Sequence, residues 1–353
     1  MSEHALLSPS KAGRRMQCPG SRKMELLYPD VPGPSAIEGT FAHTVAAERL
    51  LGGEVPAGAT AEMIEGSEIW EDVFGKFRPH IHIEERMESG LHPDCWGTPD
   101  AWAYDAPTKT IHLGDYKFGH RVVAVENNWQ LLTYLHGAMA QCTGAERAVL
   151  YIVMPRCFQL EKPVQVWEVA LPDLAQKFEH LKLNCVLAMK EQTYCRTGPE
   201  CLYCKARHSC PTLAEASYAL MEIMGQNAPF NLSVAALSAE YKMLQDATML
   251  LKARLSGIEH ELLAKVQGGA TDTGWALKRT YGRETWRSVQ QALALGKLMG
   301  IDISKEDAVT PKQAIKLGLD AELVRAYSVI SESGFKLVPD DGAAASKAFG
   351  GNI

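Results

Sequence analysis

Two aspartates placed symmetrically about one turn constrain this chain more than any other feature. Gly97-Thr98-Pro99-Asp100 and Gly114-Asp115-Tyr116-Lys117-Phe118-Gly119 flank Ala106-Pro107-Thr108-Lys109. A hairpin turning there sets Asp100 directly opposite Asp115, and Lys117, two residues on, shares the face of Asp115. Like charges opposed on one sheet face destabilise the pair, so the pattern calls for a divalent cation between the carboxylates and an ammonium beside them. A metal-dependent phosphodiesterase needs that arrangement. In the competing reading, the aspartates cap turns beside Pro99 and Gly114 and Lys117 extends its stem to solvent.

With 353 residues, 46% hydrophobic and 22% charged, the chain has material for one large or two modest cores. A net charge of −6 excludes a generally basic, nucleic-acid-attracting surface. Contact with DNA then has to come from a local groove and bound metal. Lys11, Arg14, Arg15, Arg22 and Lys23 cluster near the start; they read either as a nucleic-acid contact through Arg14, Arg15 and Arg22 or as a solvated basic face. No apolar run reaches the roughly 18 to 20 residues of a membrane span, and the start lacks the apolar core of a secretory leader. A cytoplasmic protein without a membrane partner is expected. In that reducing compartment nine cysteines are a poor disulfide framework, and clustered ones become metal or cluster ligands.

The apolar pattern predicts an irregular start, a helix over 37–51 stopped by Gly52-Gly53, and a Gly/Ala/Pro-rich linker. An alternating segment over 80–87 follows, then hairpin strands over 95–104 and 110–117, and a helix over 127–141. Strands over 148–154 and 164–171 and a helix over 173–191 complete the order. Beyond Pro211 a long helix over 233–266 carries Leu237, Met243, Met249, Leu251, Leu255, Ile258 and Leu262. That stripe reads as core packing, with an arm, an oligomerisation element or a partner surface as alternatives. Further elements are expected over 288–299 and in a helix capped by Thr310 with Pro311 at its first position. The segment from Lys278 to Arg287 interleaves basic and aromatic residues, which suits either base stacking or a β-hairpin with a solvated basic face. The tail over 340–353 reads as disordered.

His43, mid-helix in Glu38-Gly39-Thr40-Phe41-Ala42-His43, can supply a nitrogen ligand to the same cation. Gln130 and Tyr134, four apart, project from one helix face toward the strand ends. In this order, His43, Gly97-Thr98-Pro99-Asp100, Asp115-Tyr116-Lys117 and Gln130-x-x-x-Tyr134 resemble the RecB-type branch of the PD-(D/E)XK nuclease superfamily, which includes Cas4-like exonucleases, over about residues 18–210. The whole chain, with Leu7-Ser8-Pro9-Ser10 and Cys18-Pro19-Gly20-Ser21, is similar to an uncharacterised phage and prophage group within it.

The resemblance implies an α/β, restriction-endonuclease-like core of order αβββαβ, with a mixed sheet flanked by helices, over 1–213. A mainly helical accessory or partner-binding region follows over 214–339. It implies one or two Mg²⁺ or Mn²⁺ ions held by His43, Asp100, Asp115 and the Tyr116 backbone carbonyl, with Lys117 orienting the attacking water and Gln130 and Tyr134 holding DNA or supporting the site. Aspartate at 115 lies within the family pattern, where glutamate is common. The activity so implied is a metal-dependent DNA exonuclease acting on single strands or DNA ends, in phage recombination, repair or replication in a bacterial host. A structure-specific endonuclease, or a non-catalytic nucleic-acid-binding or assembly protein on the same fold, are the alternatives.

Cys201-x-x-Cys204-x5-Cys210 brings three thiols together beside Lys205, Arg207 and His208, basic neighbours expected to favour thiolate. Cys18, Cys195 and His208 are candidates for a fourth ligand; by spacing Cys195 is nearest, and zinc is the default ion. The resemblance implies instead a [4Fe-4S] cluster on Cys18, Cys201, Cys204 and Cys210, stapling the start of the nuclease region to its end. Cys95, Cys142, Cys157 and Cys185 lie in apolar contexts and are expected to be buried thiols.

Overall fold

The hairpin forms at the expected turn. Lys109, in the left-handed region with φ of +52°, donates its N–H to Ala106 O at 3.2 Å. Strand β4 (Ala101–Asp105) then pairs antiparallel with β5 (Thr110–Tyr116), Ala101 opposite Gly114. One step further, that register aligns Asp100 with Asp115. The structure, a computed structural model, describes residues 5–30, 32–157, 160–224, 233–271, 273–304 and 311–339. Thr310 and the 340–353 tail lie outside them.

Strand β1 (Ile81–Ile83) adds to β4 and a two-residue ladder, β2 (Met87–Glu88) on β3 (Trp96–Gly97), precedes the hairpin. Strands β6 (Arg147–Val153) and β7 (Val164–Ala170) complete a sheet of order β1-β4-β5-β6-β7. The β5–β6 pair is parallel and the others antiparallel. A parallel pair needs a crossover, and the helix expected over 127–141 supplies it.

Short helices α1 (Ala12–Gln17) and α2 (Ser21–Glu25) replace the irregular start. On one sheet face lie α3 (Pro34–Leu51) and α4 (Ala61–Phe74). Pro34 opens α3 and left-handed Gly52 closes it. Thr60 caps α4 by accepting the Met63 N–H, so half of the expected linker is helical. Ala42, Val45, Leu50, Met63, Trp70, Phe74 and Tyr116 form this core layer. Gly114 is required there: a methyl group at that position would overlap the Phe74 ring and come within 2.8 Å of Trp70.

The other face carries α5 (Trp129–Gln141) and α6 (Ala175–Met189), with Leu113, Leu131, Leu132, Leu135, Leu150, Ile152, Phe178 and Leu181 in the core between helices and sheet. Burying each such side chain contributes about 1.5–3 kcal/mol. Helices α7 (Pro211–Met224) and α8 (Val234–Gln267) follow. The chain divides into compact units Met1–Gly257 and Ile258–Ile353, so the first extends past residue 213.

The second unit departs from the mainly helical expectation. Strand β8 (Trp275–Trp286), which contains Lys278, pairs with the distant β9 (Ser328–Pro339) rather than turning back as a local hairpin. Helices α9 (Val289–Leu298), α10 (Pro311–Lys316) and α11 (Ala321–Tyr327) lie between them in sequence, and Ala292, Leu295, Ile303, Ala314, Leu319 and Val324 form its core. No described helix is long and apolar enough to cross a membrane.

Candidate active site

The alternation of β5 sends its last residues to opposite faces. Asp115 and Lys117 look toward α5, while Tyr116 packs on the α3 and α4 side against Trp70 and His43. Asp100, one residue before β4, uses its two oxygens differently. Oδ2 accepts the Tyr116 N–H at 2.6 Å, and Oδ1 lies 3.2 Å from His43 Nδ1, contributed by α3. Asp115 is 3% exposed, and its Oδ1 accepts from Lys117 Nζ at 2.8 Å and Gln130 Nε2 at 2.7 Å. Its Oδ2 is 2.7 Å from the same ammonium but is buried without a well-directed hydrogen bond.

Helix α5 positions the polar supports. Asn128 caps it by accepting the N–H groups of Gln130 and Leu131, which fixes Gln130 in the first turn over the strand ends. Lys117 Nζ also donates to Gln130 Oε1 at 3.4 Å, so Gln130 holds acid and ammonium together. One turn on, Tyr134 Oη donates to Thr98 O at 3.0 Å. Gly97 makes that approach possible, because a Cβ there would stand 2.9 Å from the Tyr134 hydroxyl.

Sequence reasoning missed Glu84. It follows β1 in the left-handed region with φ of +50°, a costly conformation for a residue with a side chain. Its N–H reaches Asp100 O at 3.3 Å, and its Oε1 is 4.0 Å from His43 Nδ1. Ligand atoms of His43, Glu84 and Asp100 all lie within 4.8 Å of one another, the only such group among the described residues. Nothing in Ile83-Glu84-Glu85-Arg86 marks the first glutamate over the second, and Glu85 instead pairs with His82.

Burial pushes the Asp115 carboxyl up, and Asp100 adds to the rise against the opposing pull of Lys117. Burial also pushes Glu84 up, with Asp100 adding, to about 7. Burial acts in the same direction on Asp100, but the charge and hydrogen bond of His43, with Lys117 and the Tyr116 N–H, hold it below the usual carboxylate range. His43 and Lys117 would both fall on burial; neighbouring Asp100 for the first, and Asp115 with Asp100 for the second, leave both raised. Three carboxylates thus meet one lysine and one histidine in a cleft whose rim includes Ser8, Ser10, Asp30, Trp96 and Thr98. That excess of negative charge suits a hard divalent cation.

The cysteine cluster assembles differently from either expectation. Cys18, Cys195, Cys201, Cys204 and Cys210 line one enclosure, so both Cys18 and Cys195 join the three clustered thiols. His208 instead directs Nδ1 to Lys205 O at 3.1 Å and packs its ring edge-on with Tyr28. The basic neighbours do not dominate. Burial raises the Cys195 and Cys204 thiols to about 12, with Cys18 and Cys210 adding for the first and Glu25 for the second; burial also raises Cys201. Cys95, Cys142, Cys157 and Cys185 are buried.

The basic cluster at the start is corrected by burial. Arg15 is 2% exposed, with Nε on Asn184 Oδ1 at 3.1 Å and Nη2 3.7 Å from Cys185 Sγ, so it stitches α1 to α6 and cannot meet a phosphate. Arg14 is paired with the buried Glu25, and Arg22 is half-buried.

Among solved structures the chain is similar to SSO0001, at 16% identity and a TM-score of 0.35, over 60% of this chain and 89% of that one. It is also similar to an alkaline exonuclease from Laribacter hongkongensis, at 12% identity and a TM-score of 0.26, over 52% and 87%. The same exonuclease in complex with dAMP matches at 14% identity and a TM-score of 0.24, over 50% and 90%. The profile of DUF2800, described as a protein of unknown function, matches residues 4–72 and 68–319, and the chain therefore belongs to the DUF2800 family.

Proposed function

We propose that the protein is a metal-dependent nuclease that hydrolyses phosphodiester bonds in DNA. The observation that carries the reading is the meeting of Asp100, Asp115 and Lys117 at the ends of β4 and β5 with His43 beside them. A divalent cation fits these residues: the donors are mainly carboxylate oxygens, and the buried Asp115 Oδ2 lacks a well-directed hydrogen bond. Asp100, Asp115, His43 and Glu84 would hold it, with the Tyr116 carbonyl as a further donor. When bound, Mg²⁺ or Mn²⁺ lowers the pKa of water and neutralises charge on the scissile phosphate.

The chain's own residues do the rest. Lys117, held on Asp115 and Gln130, keeps its proton and places an ammonium where charge grows on the phosphate, while orienting the attacking water. Gln130 fixes that ammonium relative to the acid. Tyr134, through Thr98, holds the loop carrying Asp100, so both act as supports of the site rather than through DNA alone.

The finer reading is an exonuclease working on single strands or DNA ends in phage recombination, repair or replication, and it rests on the motif resemblance. A [4Fe-4S] cluster on Cys18, Cys201, Cys204 and Cys210 belongs to the same reading, with zinc as the alternative. In support, no three thiol sulfurs among the described residues lie within 4.8 Å of one another, whereas tetrahedral zinc with bonds of about 2.3 Å draws its ligands closer than that. Such a centre would tie α1 and α2 to residues 195–210. Incubation of end-labelled DNA with the protein and Mg²⁺ or Mn²⁺, with and without chelator, tests the nuclease reading: chelator-sensitive products support it, and uncut DNA in every metal overturns it.

A further inference from the structure

Helix α8 presents an apolar seam that its own fold leaves uncovered. Val234, Leu237, Tyr241, Leu244, Thr248, Leu251, Leu255, Ile258 and Leu262 follow one another at alternating spacings of three and four, the a and d positions of a heptad repeat. Eight of these nine carry large apolar or aromatic side chains. Val234, Tyr241 and Leu255 are 84%, 66% and 66% exposed, and Leu237, Leu244 and Ile258 are also exposed.

The helix meets its own unit through a different face. Ala247, Ala253 and Gly257, at g, f and c, are its buried residues. A Cβ on Gly257 would stand 2.7 Å from the His208 N, and Arg254 donates Nη1 to the Arg207 and His208 carbonyls. The seam therefore points away from the body that anchors the helix. Beside it Leu202 joins Tyr241, Leu244, Thr248 and Lys252 along a shallow groove.

We infer that α8 pairs with α8 of a second copy of this chain as a parallel, in-register two-stranded coiled coil. The flanking charges select that occupant and direction. In the parallel pairing each g residue faces the e residue five positions on in the other helix, which sets Arg254 against the second copy's Glu259. Glu240 then faces Gln245, Ala247 faces Lys252, and Glu261 faces Val266, so no like charges meet. The antiparallel pairing that superposes the seam on itself opposes Lys252 to Lys252 and Glu240 to Glu261. Leu at d positions 237, 244 and 251 and the polar Thr248 at a suit two strands in one register. A two-fold axis along the seam makes the interface self-complementary and leaves each anchoring body on an outer flank.

Sedimentation of the full-length protein, purified anaerobically, tests this. The wild type is expected to be a dimer, and Leu244→Glu with Leu251→Glu, which places charges in the seam, to weaken it at least ~100-fold while circular dichroism stays unchanged. Leu244→Cys is expected to cross-link to itself under mild oxidation, with wild type as the unlinked control. A wild-type monomer, whatever else then binds the seam, overturns the inference, as does a dimer that survives the glutamates. A dimer in which Leu244→Cys stays unlinked overturns the parallel register.

Discussion

The carboxylate of Asp100 is bound at 2.6 Å by the peptide N–H of Tyr116, the residue that follows Asp115 on the neighbouring strand. One acid is thereby positioned by the backbone that carries the other. Their separation is set by sheet register, a rigid quantity, rather than by the freedom of a loop. Asp100→Asn is expected to preserve the fold and cut turnover ~10³-fold or more, because the amide can still accept the Tyr116 N–H through its oxygen but loses the charge that faces His43. Circular dichroism beside steady-state cleavage checks both halves.

Glu84 should betray itself in metal affinity before activity. Glu84→Gln keeps the size of the side chain and removes its charge from the group formed with His43 and Asp100. Titration of the metal-free protein with Mn²⁺, followed by electron paramagnetic resonance, should show a ~10- to 100-fold weaker ion. Unchanged affinity would remove Glu84 from the site.

Gly114 ties the core to the chemistry. In Gly114→Ala the added methyl overlaps Phe74 and crowds Trp70, an overpacking expected to cost about 1–3 kcal/mol in urea unfolding. Since residue 115 moves with the strand, turnover should fall further than stability alone accounts for.

His112 gives a pH dependence separate from the active site. It lies on β5 with Nδ1 3.0 Å from Tyr151 Oη and its ring against Phe77. Burial, and secondarily Lys76, lower its pKa below 6.5, against the opposing pull of Asp105 and Glu168. Just below pH 6.5 the unfolded chain takes up a proton there that the folded state refuses, so His112 erodes stability as pH falls from 6.5 toward its folded pKa. The difference in Tm between wild type and His112→Gln should therefore narrow or reverse over that interval and be constant above it.

The thiol centre is open to direct assay. Protein isolated without oxygen should carry bound metal, and Cys201→Ser should lose it together with thermal stability, since the centre joins α1 and α2 to residues 195–210. Visible absorption with iron and sulfide content separates a cluster from zinc. Cys195→Ser should retain the metal if Cys18 is the fourth ligand.

How far these features were legible follows from their range along the chain. Asp100 and Asp115 could be aligned because a four-residue turn fixes a local register, and Gln130 and Tyr134 because a helix fixes which residues share a face. Helix α4 was hidden behind the run from Gly52 to Thr60, whose composition reads as linker until Thr60 is recognised as a cap. Glu84 depends on a backbone angle that no neighbouring residue type signals. Arg15 was misread because charge suggests a surface, whereas its position is decided by Asn184, 169 residues away. The β8–β9 pairing was invisible for the same reason: its partners are separated by three helices.

The central claim is most directly tested by comparing wild type with Lys117→Ala on 5′- and 3′-labelled single- and double-stranded DNA in Mg²⁺ and Mn²⁺, with DNA binding measured on the same samples. Metal-dependent products from the wild type, reduced ~10²- to 10⁴-fold in the variant while binding persists, are the expected result, and the label that disappears first gives the polarity. Wild-type protein that binds DNA yet cuts no substrate, or cleavage that Lys117→Ala leaves unchanged, would contradict the account.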